Sequence, residues 1–132
     1  MTSTTANLNR IMIKLLEHTR KPDITFNRNG IIQITSRLAR ALSLCPGDAI
    51  NITISKGEYL LHSIKKTGTG RLEAQCYQTK KGNNHYCANS VKLCRAILNM
   101  TGTTKTRVSF MTGTPITINS TTYIPIITLN PL

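Results

Sequence analysis

The side chains able to act as acids, bases, nucleophiles or metal ligands are few. The chain holds five carboxylates (Glu17, Asp23, Asp48, Glu58, Glu73) and three histidines (His18, His62, His85) in 132 residues. No two acids lie close enough in sequence to suggest a general acid–base pair. Cys45, Cys76, Cys87 and Cys94 are widely separated, with no Cys-x-x-Cys pair, and His85 stands before Cys87 without a second paired ligand. That spacing does not predict a zinc site. His85 and Cys87 on one strand would point the same way, but nothing supplies the third group that orients a catalytic base. Lys66-Thr67-Gly68-Thr69-Gly70 lacks the spacing and the following Lys-Ser/Thr of a phosphate-binding P-loop. Asp48 follows Pro46-Gly47 in a turn, where a carboxylate bonds backbone amides rather than transferring protons. The residues therefore predict no enzyme, no cofactor and no metal. The cysteines read as reduced, small buried hydrophobes.

What remains is charge. There are 17 Lys and Arg against 5 Asp and Glu, a net +12. Eleven basic and all five acidic residues fall within the first 73 positions, and six basic residues with no acid follow. An excess spread this way suits a folded basic face better than a basic arm, and makes polyanions the first partners to consider. No apolar run is long enough to predict a membrane span. The first six residues (Met-Thr-Ser-Thr-Thr-Ala) lack the basic and apolar regions of a secretory signal, so a cytoplasmic location is expected.

The elements that must present these charges can be read in turn. Residues 1–6 are expected to be disordered. Leu8, Ile11, Met12, Leu15 and Leu16 recur at helical spacing, predicting an amphipathic helix that ends near Thr19, ahead of Pro22. Two β-rich pieces, 23–27 and 31–34, flank Asn29-Gly30, a two-residue hairpin signal. Thr35 or Ser36 can cap a short helix over Arg37–Leu42. Cys45-Pro46-Gly47-Asp48 reads as a turn. Alternating Ala49–Ile54 and Tyr59–Ile64 read as strands around a turn at Ser55–Glu58. Lys65 and Lys66 open a basic loop, a strand is expected over Arg71–Thr79, and Lys80 and Lys81 open a second basic turn.

The last third echoes the first. Arg37-Leu-Ala-Arg-Ala-Leu42 and Lys92-Leu-Cys-Arg-Ala-Ile97 align at an offset of 55, which also places Gly47 on Gly102. One inserted residue later, Ile52 and Ile54 fall on Val108 and Phe110. Each copy then turns through a glycine (Gly57, Gly113) into an apolar strand, and Tyr123–Ile127 adds one more, in which Pro125 suits a sheet edge. Three segments follow: 1–21, then a first repeat over 22–79 and a divergent second over 80–132. Units so short are expected to share one core. The fold class predicted is mainly β with short helices (α+β), a pseudo-twofold barrel or sandwich.

The stretch from Gly30 to Ile54 resembles the swapped-hairpin domain of the AbrB/SpoVT/MazE-like regulators. It carries a Gly-containing hairpin, the strand Ile31–Ile34, the short helix Arg37–Leu42, Leu44-Cys-Pro-Gly-Asp48 and the alternating Ile50, Ile52 and Ile54. Thr35-Ser36 stands where Pro-Lys is usual, Ile31 where a basic residue often follows the hairpin glycine, and Thr103 replaces the Asp in the second copy. The resemblance implies a swapped-hairpin-like β-barrel in which the hairpins of two copies interleave, either in a homodimer or as a pseudo-dimer within one chain. It also implies a DNA-facing surface on the hairpin and short helix: Arg28, Arg37 and Arg40, with Lys92 and Arg95 at the second-copy positions. Lys65, Lys66, Lys80 and Lys81 would add phosphate contacts from the basic loops. Arginine suits both phosphate positioning and guanine readout. The expected function is a transcriptional regulator binding double-stranded DNA. The alternative is a structural or interaction protein, antitoxin-like or from a mobile element, whose basic face binds an acidic protein or packaged nucleic acid. A protein partner would use the N-terminal helix. A single-strand binder would need exposed aromatics, and Phe26, Tyr59, Tyr77, Tyr86, Phe110 and Tyr123 fall mostly at core-like positions.

Overall fold

A computed structural model describes residues 22–67, 72–79 and 85–128. The expected N-terminal helix and Lys80 and Lys81 lie outside the described residues. The elements are β1 (Ile24–Asn27), β2 (Ile31–Ile34), α1 (Ser36–Ala41), β3 (Ala49–Ser55), β4 (Glu58–Ile64), β5 (Cys76–Gln78), β6 (Tyr86–Asn89), α2 (Val91–Thr101), β7 (Arg107–Phe110), β8 (Ile116–Ile118) and β9 (Thr121–Ile126). The chain is mainly β, with two antiparallel sheets and two helices among the described residues.

The first hairpin forms where composition puts it, with a longer loop. Phe26 pairs with Ile32, which leaves Arg28, Asn29 and Gly30 between the strands rather than two residues. Gly30 closes this loop at φ +102°, donating its N–H to the Asn27 carbonyl at 2.9 Å. That geometry favours glycine, as three-residue hairpin loops commonly do. Thr35 and Ser90 cap the two helices alike, accepting from the N–H groups of Leu38 and Leu93 at 3.4 and 3.1 Å. These caps stand 55 residues apart, as the repeat requires.

One sheet has the order β5-β6-β2-β1-β7 and the other β3-β4-β9-β8. In the first, β1–β2 lies between β7 and β6, both from the second half of the chain. In the second, β4 pairs with β9, again across the halves. The expected closed barrel is not formed. The sheets meet through two isolated bridges, Ala49↔Gln75 and Thr112↔Ile126, because β3 is committed along its length to β4 and the β7 ladder stops at Phe110.

Two strand expectations are corrected. Of the described residues 72–79 in the expected strand, Cys76–Gln78 form one, and its partner β6 had no sequence signal of its own. Pro125 does not mark an edge. β9 is internal, between β4 and β8, and Pro125 sits where β8 no longer covers it, its carbonyl accepting from Gly113 N–H at 2.8 Å.

The core lies between the inner faces of the sheets and under the helices. Ile24, Phe26, Ile32 and Ile34 from the hairpin meet Leu38, Cys94, Ile97 and Leu98 from the helices and Leu61 and Ile124 from the second sheet, all buried. Phe26 and Phe110 meet edge to face at 6.0 Å, a favourable arrangement.

Candidate nucleic-acid interface

The tip of the first hairpin is tied to the segment leading into β7. Arg28 N–H donates to the Thr106 carbonyl at 2.7 Å, and its guanidinium donates to the carbonyls of Thr103 and Lys105 at 3.3 and 3.1 Å. One step inward, Asn27 pairs directly with Arg107. Arg28, Lys105 and Arg107 therefore gather at one end of the five-stranded sheet. Beside them runs a groove of about 700 Å³ lined by Pro22, Lys105, Thr106, Arg107 and Ser109, two cations and no acid. Ser109 is fixed there through a 2.8 Å hydroxyl contact with Thr25.

Arg37 and Arg40 are exposed and three residues apart on α1, so they share a face. Arg40 borders a groove with Ser36, Ser43, Cys45 and Tyr86. Lys92 and Arg95 repeat that spacing on α2 and are exposed. Lys92 shares its groove with Glu73, whose carboxylate accepts from the Ser90 hydroxyl at 2.6 Å. The groove beside Arg40 thus has no carboxylate in its lining, and the groove beside Lys92 has one. At the start of α1, Ser36 N–H donates to His85 Nδ1 at 3.0 Å, so that ring nitrogen serves another element.

Lys65 is placed elsewhere. Its ammonium bonds the Asp48 carboxylate at 2.9 Å and the Ser43 carbonyl. Asp48 is buried and accepts, besides Lys65, the N–H groups of Cys45 at 2.9 Å and Lys66 at 3.1 Å. Burial pushes the Asp48 carboxyl up, but the bonds from Lys65, Lys66 and Cys45 outweigh it and hold the group below its ordinary value. The turn carboxylate bonds amides, as its setting after Pro-Gly predicts. Lys66 lies over Gly47, its aliphatic stem in the space a Cβ there would take.

Four other titratable groups are held within the framework. Asp23 is buried and accepts from the Thr112 N–H and hydroxyl at 3.0 and 2.9 Å. Burial pushes the Cys76 thiol up to about 12, with Asp48 and Cys87 adding to it, and burial also raises Cys94. Both thiols stay protonated and unreactive. His62 packs on the Tyr123 ring at 5.1 Å and bonds Thr53 at 2.9 Å, and burial lowers its pKa. Among the described residues no cluster of three or more His, Cys, Asp or Glu could hold a metal ion, and no helix is long and apolar enough to cross a membrane.

Of the four acids described, Asp23 and Asp48 are buried inside this framework, which leaves Glu58 and Glu73 on the surface against ten lysines and arginines. Sequence reasoning missed Lys105, whose carbonyl Arg28 reaches across 77 positions, and Arg107, which pairs with Asn27 across 80. The available signal was the absence of any acid after residue 73. Comparison with known proteins finds no match: neither a family model, nor a curated protein, nor a solved structure matches this chain.

Proposed function

We propose that this chain is a small DNA-binding protein, acting as a transcriptional regulator, that holds duplex DNA through phosphate contacts from one end of its five-stranded sheet and from α1. The observation that carries the reading is the tie between the hairpin tip and residues 103–107, which brings Arg28, Lys105 and Arg107 beside an acid-free groove. Arg28 serves here as a positioning residue, its guanidinium occupied by backbone carbonyls. Lys105, Arg107, Arg37 and Arg40 are the cations left to face phosphate.

The strand order supports a swapped-hairpin relation between two copies within one chain. The hairpin β1–β2 of the first half lies between β6 and β7 of the second, and β5–β6, which spans the boundary between the halves, lies against β2, with Gln75 just before β5 bridging to β3. Such a unit would present paired basic helices without a separate dimerisation step.

The test is titration of a labelled random duplex at several salt concentrations. Four phosphate contacts predict a slope of about −3.6 in log K against log salt, at ~0.9 per phosphate. Exchanging Lys105 and Arg107 for Gln should flatten it by about 1.8 by the same rule. Absence of binding at low salt, or a slope untouched by those exchanges and by Arg37→Gln with Arg40→Gln, overturns the reading.

A further inference from the structure

We propose that the chain pairs with a second copy of itself through the outer face and free edge of the four-stranded sheet, centred on β8. This inference stands apart from the DNA reading and rests on different residues. From Val108 to Leu132 the sequence holds no Asp, Glu, Lys, Arg or His, in a chain that carries +12. That segment builds β8 and β9. Ile116 and Ile118 are 41% and 49% exposed and, two residues apart on a strand, present to the same side.

The apolar face continues inward. Ile116 pairs with Tyr123, whose ring lies on His62, and Ile64, 38% exposed, stands on the same side of β4 as His62. The titratable groups on this side are His62, held toward its neutral form, Glu58 at the far end of β4, and Glu73 and Lys92 in the groove that Ile64 borders, away from β8. β8 is the last strand of its sheet, and among the described residues nothing pairs with its outer edge. Sheet edges are usually blunted with charge, above all lysine. β8 has none, and Pro115 stops it only on one side.

Charge selects the occupant. Two copies at +12 each repel wherever their cations meet, so the β8–β9 part of the face, which carries no charged residue, is where they can approach. An acidic partner would be drawn to the basic faces instead. An edge strand paired antiparallel with its own copy is self-complementary, so a single strand generates the closed twofold contact that homodimers use.

The test is sedimentation equilibrium of the full chain over a wide concentration range, at low and moderate salt. The expected species has twice the 14.6 kDa chain mass, and association should strengthen as salt screens the repulsion. The Ile116→Lys, Ile118→Lys variant should be monomeric with an unchanged circular-dichroism spectrum. The milder Ile116→Thr, Ile118→Thr variant keeps strand propensity and should weaken association by about tenfold or more through lost apolar area; it decides the matter should the lysine variant lose its fold. A monomer at every concentration overturns the proposal, as does a dimer that either folded variant leaves intact.

Discussion

Asp48 offers the sharpest test of how the framework holds its charges. Its Oδ2 accepts from Cys45 N–H and Lys65 Nζ, both at 2.9 Å, and its Oδ1 from Lys66 N–H at 3.1 Å. The partners are unequal in what their loss costs. The Lys65 side chain is 53% exposed and can return to water, so Lys65→Ala should cost at most ~1 kcal/mol, as exposed ion pairs do. Asp48→Asn keeps the shape but turns one acceptor oxygen into a donor that faces another donor. With one buried N–H left unsatisfied, the cost should be about 2 kcal/mol. Asp48→Ala strands both backbone N–H groups and should cost about 3 kcal/mol or more by the same reasoning. Urea unfolding midpoints at neutral pH read all three. The folded pKa of Asp48 lies below the ordinary 3.8, so its stabilisation is complete above that value and is lost as pH falls through the folded pKa. The gap between the parent and Asp48→Asn should therefore narrow in acid. A Lys65→Ala cost equal to that of Asp48→Ala would refute the argument, because the ion pair rather than the amides would then be holding the turn.

Other perturbations follow from single contacts. Arg28→Ala should flatten the salt dependence of duplex binding by more than the ~0.9 of one phosphate, because it releases residues 103–107; a loss of one unit, additive with Lys105→Gln and Arg107→Gln, would show direct contact instead. Gly30→Ala should destabilise by ~2 kcal/mol or more, since φ is +102° and a Cβ would meet Val91 Cγ2 at 2.7 Å, whereas Gly57→Ala, with φ +81° and nothing within 4 Å, should cost about half as much in the same urea assay. Burial lowers the His62 pKa below its ordinary 6.5, so its contribution is complete above that value and falls away as pH drops below it; thermal unfolding of His62→Gln should show less acid sensitivity than the parent between about pH 7 and pH 5.

What could be read from sequence is what depends on neighbours in the chain. The hairpin glycine, the Thr35 cap, the Cys45–Asp48 turn and the β3–β4 hairpin each rest on a few consecutive residues, and all form. The repeat was legible only where local structure is shared. The caps at Thr35 and Ser90 keep the offset of 55, but α2 runs eleven residues against six for α1. Beyond it the register shifts. The Ala49↔Gln75 bridge takes the place of the Ile24↔Phe110 pair, so Phe110 corresponds to Ala49 rather than to Ile54. β6 was missed because Tyr-Cys-Ala-Asn has no β-branched residue and becomes a strand through pairing with β2. Tyr77 is the exception among aromatics expected mostly at core-like positions: it is exposed, since β5 is a sheet edge. Lys65 was assigned to a polyanion because its acid lies 17 residues earlier, beyond any local pattern.

The same non-local pairing decides what kind of binding surface the chain can have. The ladders β1·β7, β2·β6 and β4·β9 each join one half to the other, so neither half completes a sheet by itself. β2 and β6 run antiparallel, and each helix begins two residues after its strand, which sets α1 and α2 at opposite ends of that central pair. Arg37 and Arg40 are thereby held at a fixed separation from Lys92 and Arg95. A two-chain regulator fixes that separation only after it dimerises, and its affinity falls as dilution dissociates it. Here the two helices belong to one folding unit, so duplex binding by the single chain should persist at concentrations where any β8-mediated pairing has come apart. The proposed duplex binding and the proposed β8 pairing should therefore respond to different concentrations, and can be measured separately.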